Sequence, residues 1–161
     1  MFKIRLTSNI ILLLFAQFFS YLLFADETPD TQIIWQSNFE EVQQQAKKDG
    51  KLILLYFSGS DWCRPCMQLK SEVFETEAFK EFANENFILT LFDFPAQKTH
   101  QLPKEQKSHN EKMAEKYNSR GAFPIVVIVD YQGKKFGELT GYNREGAEAY
   151  VNKLKQLIST E

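Results

Sequence analysis

Residues 54–74 read LLYFSGSDWCRPCMQLKSEVF and hold the only two cysteines of the chain, Cys63 and Cys66, directly behind Trp62. The stretch changes character at the turn residues Ser58, Gly59, Ser60 and Asp61. Before them, residues 52–57 form an unbroken apolar run after Gly50, too short for a helix, which predicts a buried strand. After them, Cys66, Leu69 and Val73 recur at helical spacing, so the second thiol faces the apolar side of a helix while Arg64 and Lys70 reach solvent. Cys63 falls at the opening of that helix. A bridge between the two closes a very small loop, and cross-link stabilisation grows with loop length, so stability is a poor reason for the pair.

Exchange chemistry is a better reason. The thiolate is the attacking species in disulfide exchange, so a working cysteine needs a depressed pKa and exposure. Cys63 lies where free backbone N–H groups and the helix dipole favour negative charge, and Arg64 adds a cation. Cys66, about one turn into the helix and inward, is the resolving thiol. Pro65 has no N–H to leave unsatisfied and a fixed φ that suits the first turn. Trp62 carries a large apolar surface, readable as a substrate contact or as a plain core anchor.

Working outward, Lys3 and Arg5 precede an apolar run from Ile10 to Phe24 that ends at Ala25, the pattern of a signal peptide over residues 1–25. The run is shorter than the roughly 18 apolar residues of a spanning helix. Leu23, bulky at the −3 position, keeps an uncleaved membrane anchor as the alternative. Cleavage would remove two basic residues from a chain whose net charge is already −2, which points away from nucleic acid. Export places the thiols where disulfides persist. Residues 26–34, with Pro29, read as a flexible leader that Trp35 anchors to one domain over residues 35–161. Fifteen phenylalanines argue for a packed core in that domain.

Within it, Asn38 and Glu41 resemble a capping box for a helix carrying Phe39, Val42 and Ala46 inward and ending at Gly50. Residues 76–84 read as a helix with Phe79, Phe82 and Ala83 inward, and residues 87–94 as a strand. A polar loop of about thirteen residues, 95–107, carries three lysines and His100, and loops of that length tend to be functional or mobile. Ser108 and Glu111 repeat the capping box and open a helix to about Tyr117. Residues 122–142, AFPIVVIVDYQGKKFGELTGY, read as two antiparallel strands around a turn at Gln132 and Gly133. Asn143 caps a last helix with Ala147, Tyr150, Val151, Leu154, Leu157 and Ile158 on one side. The order helix, strand, helix, strand, helix, strand, strand, helix predicts an α/β domain with a central mixed β-sheet and helices on both faces.

DWCRPC at 61–66 after a buried strand, with AFPIVVIVD and GELTGY downstream, resembles the thioredoxin family, and the approach FSGSDWC is similar to its exported bacterial members. The resemblance spans Trp35 to Ile158. It implies a thioredoxin fold in which Pro124 follows a cis bond beside the cysteines and the backbone of Phe123 holds substrate chains. It also implies a periplasmic thiol-disulfide oxidoreductase, with protein or peptide disulfides as substrates and a membrane thiol electron donor of the DsbD type as partner. Such a protein works as a monomer and needs no organic cofactor or metal. Two departures stand out. The buried acid of thioredoxins, which helps the inner cysteine lose its proton, is replaced by Tyr56 or Phe57, leaving Asp61, Tyr56 or water as substitutes. The 95–107 loop exceeds the short family connection.

Arg-Pro between the cysteines is closer to the Gly-Pro of reducing thioredoxins than to the histidine of strong oxidants, so a reductase is favoured over an oxidase or isomerase. Two readings from other classes compete: a metal site built from Cys63, Cys66, His100 and His109, and a binding module whose cysteines form only a static disulfide.

Overall fold

Alternation along the strands divides the protein into two layers on either side of one sheet. The computed structural model describes residues 32–159, so the signal-peptide reading and most of the expected leader fall outside it. The elements are β1 (Trp35–Gln36), α1 (Phe39–Asp49), β2 (Leu52–Ser58), α2 (Arg64–Leu69, running on as a π-helical turn, Lys70–Phe74), α3 (Glu77–Asn86), β3 (Phe87–Asp93), a 3-10 turn (Lys98–His100), α4 (Lys104–Tyr117), β4 (Ile125–Val129), β5 (Lys135–Thr140) and α5 (Ala147–Ile158). The sheet order is β1-β3-β2-β4-β5. The first three are mutually parallel, β4 runs antiparallel to β2, and β5 runs antiparallel to β4.

Successive residues of β2 point to opposite faces. Leu54 and Tyr56 join Val126 and Ile128 of β4 in a core covered by α2, α3 and α5, and this core holds both cysteines. Ile53, Leu55 and Phe57 join Ile125, Val127 and Val129 in a second core, against Phe39, Val42 and Ala46 of α1 and Met113 and Tyr117 of α4. Helices on both faces of a mixed sheet follow directly, as the sequence predicts.

Four local expectations are corrected. Trp35 is a strand residue, paired with Leu89 at the sheet edge, and the sequence reading contained no such strand. Ile33, in the segment read as a leader, packs on the core beside it. The helix expected from Ser108 begins at Lys104: Pro103 precedes it with φ −51°, and its carbonyl accepts from Lys107 N–H at 2.9 Å. A proline in that conformation starts a helix without a side-chain cap, so the connecting loop shrinks to residues 94–103. Finally, Gly146, not Asn143, precedes α5; it takes φ +83°, a conformation side chains disfavour, and so sets where the helix can start. The Asn38 cap forms as expected, accepting from the N–H groups of Glu40 and Glu41.

Candidate active site: the Cys63–Cys66 disulfide and its aromatic surround

The C-terminal ends of parallel β2 and β3 lie side by side, Ser58 opposite Asp93. Ligands gather at such ends because the connections leaving them are free to vary. The chain leaves β2 through a tight turn in which Cys63 N–H donates to Gly59 O at 2.9 Å. The Trp62 ring lies so close over Gly59 that a Cβ there would come within 2.3 Å of it, so only glycine fits.

Cys63 is the N-cap of α2, its Sγ 3.3 Å from the donating Cys66 N–H, and Pro65 sits in the first turn. The two sulfurs are bonded, with the Cα atoms 5.2 Å apart. Arg64 and Pro65 are exposed. Cys66 is 1% exposed, on the inward side of α2 as expected, but Cys63 is also buried, at 4%. The expectation of an exposed Cys63 is therefore corrected for this oxidised state: its sulfur is tied to one on the buried side of the helix.

Trp62 is 49% exposed, so it is no core anchor. Its indole N–H donates to Phe94 O at 2.7 Å, and its ring meets Phe123 edge-on at 5.3 Å. Phe123 also meets Phe94 edge-on at 5.4 Å and packs on the core that contains the cysteines. The Phe123–Pro124 bond is cis, and Pro124 O accepts from Gly141 N–H at 2.8 Å. Three separate chain segments thus meet at one row of rings beside the disulfide.

Of the two candidates for the missing acid, Tyr56 faces the cysteine side and Phe57 the opposite one. The Tyr56 hydroxyl donates to Cys66 O at 3.1 Å, between the rings of Trp35 and Phe74. Burial pushes its pKa up to about 12, so it stays neutral and acts as a donor. Tyr56, Trp35, Phe74 and Met67 line a cleft of about 430 Å³ that reaches Cys66.

Asp61 lies elsewhere. Its carboxylate accepts from the backbone N–H groups of Ala96 and Gln97 at 2.8 and 2.9 Å and pairs with His100 Nδ1 at 3.1 Å. The Ala96 N–H, with Gln97 and His100 behind it, holds this carboxyl below its ordinary range. His109 accepts from Phe39 N–H and faces Glu40, so neither histidine turns toward the cysteines. Among the described residues, no three His, Cys, Asp or Glu side chains are grouped to hold a metal. Phe94 was read only as the last residue of a strand over 87–94, not as part of the site. Its one signal was that place, at the strand end beside the end of β2 from which the cysteine turn leaves.

A dithiol pair closed as a disulfide at a helix start, in a mixed sheet whose β4 is entered through a cis Phe123–Pro124 bond, defines a thiol-disulfide oxidoreductase of the thioredoxin fold. Residues 39–158 match the thioredoxin-like domain. The disulfide bond reductase DsbH of Chlamydia pneumoniae is 36% identical over 124 residues, covering 77% of this chain and 72% of that protein. The thioredoxin-related protein DsbJ of the same organism is 24% identical over 138 residues, covering 85% of this chain but only 38% of that longer protein. Among solved structures, a DsbH oxidoreductase superposes with a TM-score of 0.73 at 30% identity, covering 81% of this chain and 87% of its own. A thioredoxin from Thermus thermophilus superposes at 0.57 and 18% identity, covering 79% and 88%, a likeness of fold alone. The chain belongs to the thioredoxin-like family, and it is similar to DsbH in both sequence and structure.

Proposed function

We propose that the protein is an exported, periplasmic reductase of protein disulfides in which Cys63 attacks and Cys66 resolves. The observation that carries this is the placement of the pair: Cys63 caps α2 with an amide N–H aimed at its sulfur, and Cys66 is buried one turn later. A hydrogen bond from an amide favours the sulfur as thiolate once the bridge is opened.

In the reduced protein the Cys63 thiolate attacks one sulfur of a substrate disulfide, forming a mixed disulfide and releasing the first substrate thiolate. Cys66 then loses its proton and attacks Cys63 Sγ, which expels the second substrate thiolate and closes the Cys63–Cys66 bridge. Two electrons pass to the substrate, whose two thiolates take up protons. Trp62, Arg64, Pro65, Phe123 and Pro124 form the substrate surface: Trp62 is half exposed, Arg64 and Pro65 are exposed, and Phe123 stands against Trp62. A membrane thiol donor of the DsbD type supplies the electrons for the next cycle, since the periplasm is kept oxidising. Residues 1–25 direct export; no helix among the described residues is long and apolar enough to cross a membrane.

The reducing direction is supported by the likeness to a disulfide bond reductase and by Arg64-Pro65, with no histidine between the cysteines. The test is the equilibrium reduction potential of the pair in glutathione buffers. A value near thioredoxin's, about −270 mV, supports the reductase, whereas one near −120 mV makes the protein a disulfide-forming oxidase. Substitution Cys63→Ser abolishes turnover if the pair is the working site.

A further inference from the structure

The loop between β3 and α4 is bound to the turn that precedes the cysteines. Asp61 is two residues before Cys63, and its carboxylate accepts from two consecutive backbone N–H groups of the loop, Ala96 and Gln97. His100 adds a contact from the 3-10 turn at 3.1 Å. At the loop's start, Asp93 accepts from Ser60 N–H at 2.9 Å and from its hydroxyl at 2.6 Å. Between these two anchors lies Phe94, whose carbonyl holds the Trp62 indole and whose ring faces Phe123. A loop of this length costs conformational entropy to hold in one place, so this many directed contacts on one turn call for a function.

The geometry points to Asp61 as the positioning residue of the substrate groove: by clamping the β3–α4 loop it holds Phe94, Phe123 and Trp62 as one aromatic wall that selects polypeptides with an apolar side chain beside the reacting cysteine. This rests on the reading of the protein as a disulfide reductase and adds to it which disulfides are preferred. The wall itself is three rings, with the exposed Arg64 of the substrate surface on the far side of Cys63, and its most exposed member, Trp62, is half exposed. Such a surface favours an aromatic or branched aliphatic neighbour over a polar one. The clamp makes the loop a fixed wall, not a gate, because a charged acceptor holding two backbone donors resists opening.

The test is steady-state reduction by the full chain, re-reduced each cycle by excess dithiothreitol whose direct reaction with the peptides is subtracted, of two synthetic peptide disulfides, one with Phe and one with Ser next to the cysteine. The wild-type protein prefers the Phe peptide through KM. Removing the clamp with Asp61→Ala raises KM for the Phe peptide about tenfold, a loss of about 1.4 kcal/mol, with a smaller fall in kcat. Asp61→Asn, which keeps one acceptor oxygen, lies between. Phe94→Ser brings the two KM values together, and Phe94→Leu keeps them apart. If Asp61→Ala does not fold, the Phe94 pair decides. Wild-type turnover without a preference for Phe overturns this inference alone, as does a drop in kcat with KM unmoved in the Asp61 variants. Absence of wild-type turnover on both peptides, with a potential near that of an oxidase, removes the reductase reading and this inference together.

Discussion

The two faces of the sheet are built from the same strands and serve different ends. Toward α1 and α4, β2 and β4 present Ile53, Leu55, Phe57, Ile125, Val127 and Val129, a closed aliphatic and aromatic layer. Toward α2, α3 and α5 the same strands present Leu54, Tyr56, Val126 and Ile128, and there the layer is interrupted by the disulfide, the Tyr56 hydroxyl and a cleft reaching Cys66. Tyr150, fully buried on this face, has a hydroxyl with no hydrogen-bond partner, and burial raises its pKa. Among the described residues each face leaves one buried hydroxyl unpaired, Tyr150 on this one and Thr90, between Ile88 and Phe92 of β3, on the other, but the cleft beside the reacting pair belongs to the cysteine face.

Mutations can break that division or sharpen it. The largest effect is expected from Leu55→Ala, which empties a fully buried site on the scaffold face. Denaturant unfolding of the oxidised protein should show a loss of about 2–5 kcal/mol. The reduction potential should hold within about 30 mV, since that span already corresponds to about 1.4 kcal/mol of coupling between faces. A larger shift would show that the faces are not independent.

An intermediate effect is expected from Tyr56→Phe, which removes only the hydroxyl that donates to Cys66 O. The loss should be about 1 kcal/mol, the ordinary net worth of a hydrogen bond. Its pH dependence carries a sign. Burial lifts the folded pKa of Tyr56 from 10.0 to about 12. Its contribution is therefore complete below pH 10 and is lost as pH rises through about 12, because the unfolded chain releases that proton first. Unfolding free energy should fall over this window, and Tyr56→Phe should flatten part of the fall. Tyr142 and Tyr150, also raised by burial, supply the remainder.

The smallest effect belongs to the surface. Lys70 and Glu75 approach to 3.7 Å at the end of the cysteine helix, both well exposed. Lys70→Ala should change stability by less than about 1 kcal/mol and leave the potential where it was, measured as above.

Much of this is legible in the sequence. Periodicity placed Phe39, Val42 and Ala46 on one helix face and Cys66, Leu69 and Val73 on another, and all six are buried. The buried strands Leu52–Ser58 and Ile125–Val129 were legible because an unbroken apolar run bounded by turn residues has few other solutions. Local signals failed where the deciding partner is distant. Trp35–Gln36 carries no strand pattern of its own and exists as a strand because Leu89 and Thr90 lie alongside. The start of α4 was misplaced because Ser108 and Glu111 look like a cap, while Pro103, whose carbonyl accepts from Lys107 N–H at the end of the first turn, already supplies the start.

The sequence by itself determined the chemistry: two thiols at a helix start, a proline between them, and apolar periods that can bury only one way around a mixed sheet. Tertiary structure alone decided the surroundings. Whether Tyr56 or Phe57 meets the cysteine helix depends on strand register, and whether Asp61 serves a thiol or a loop depends on a segment 35 residues away in the chain. Both follow from one physical fact. Covalent neighbours set local conformation and periodicity, but a carboxylate or a phenol takes whichever donor or acceptor the folded chain brings within hydrogen-bond distance.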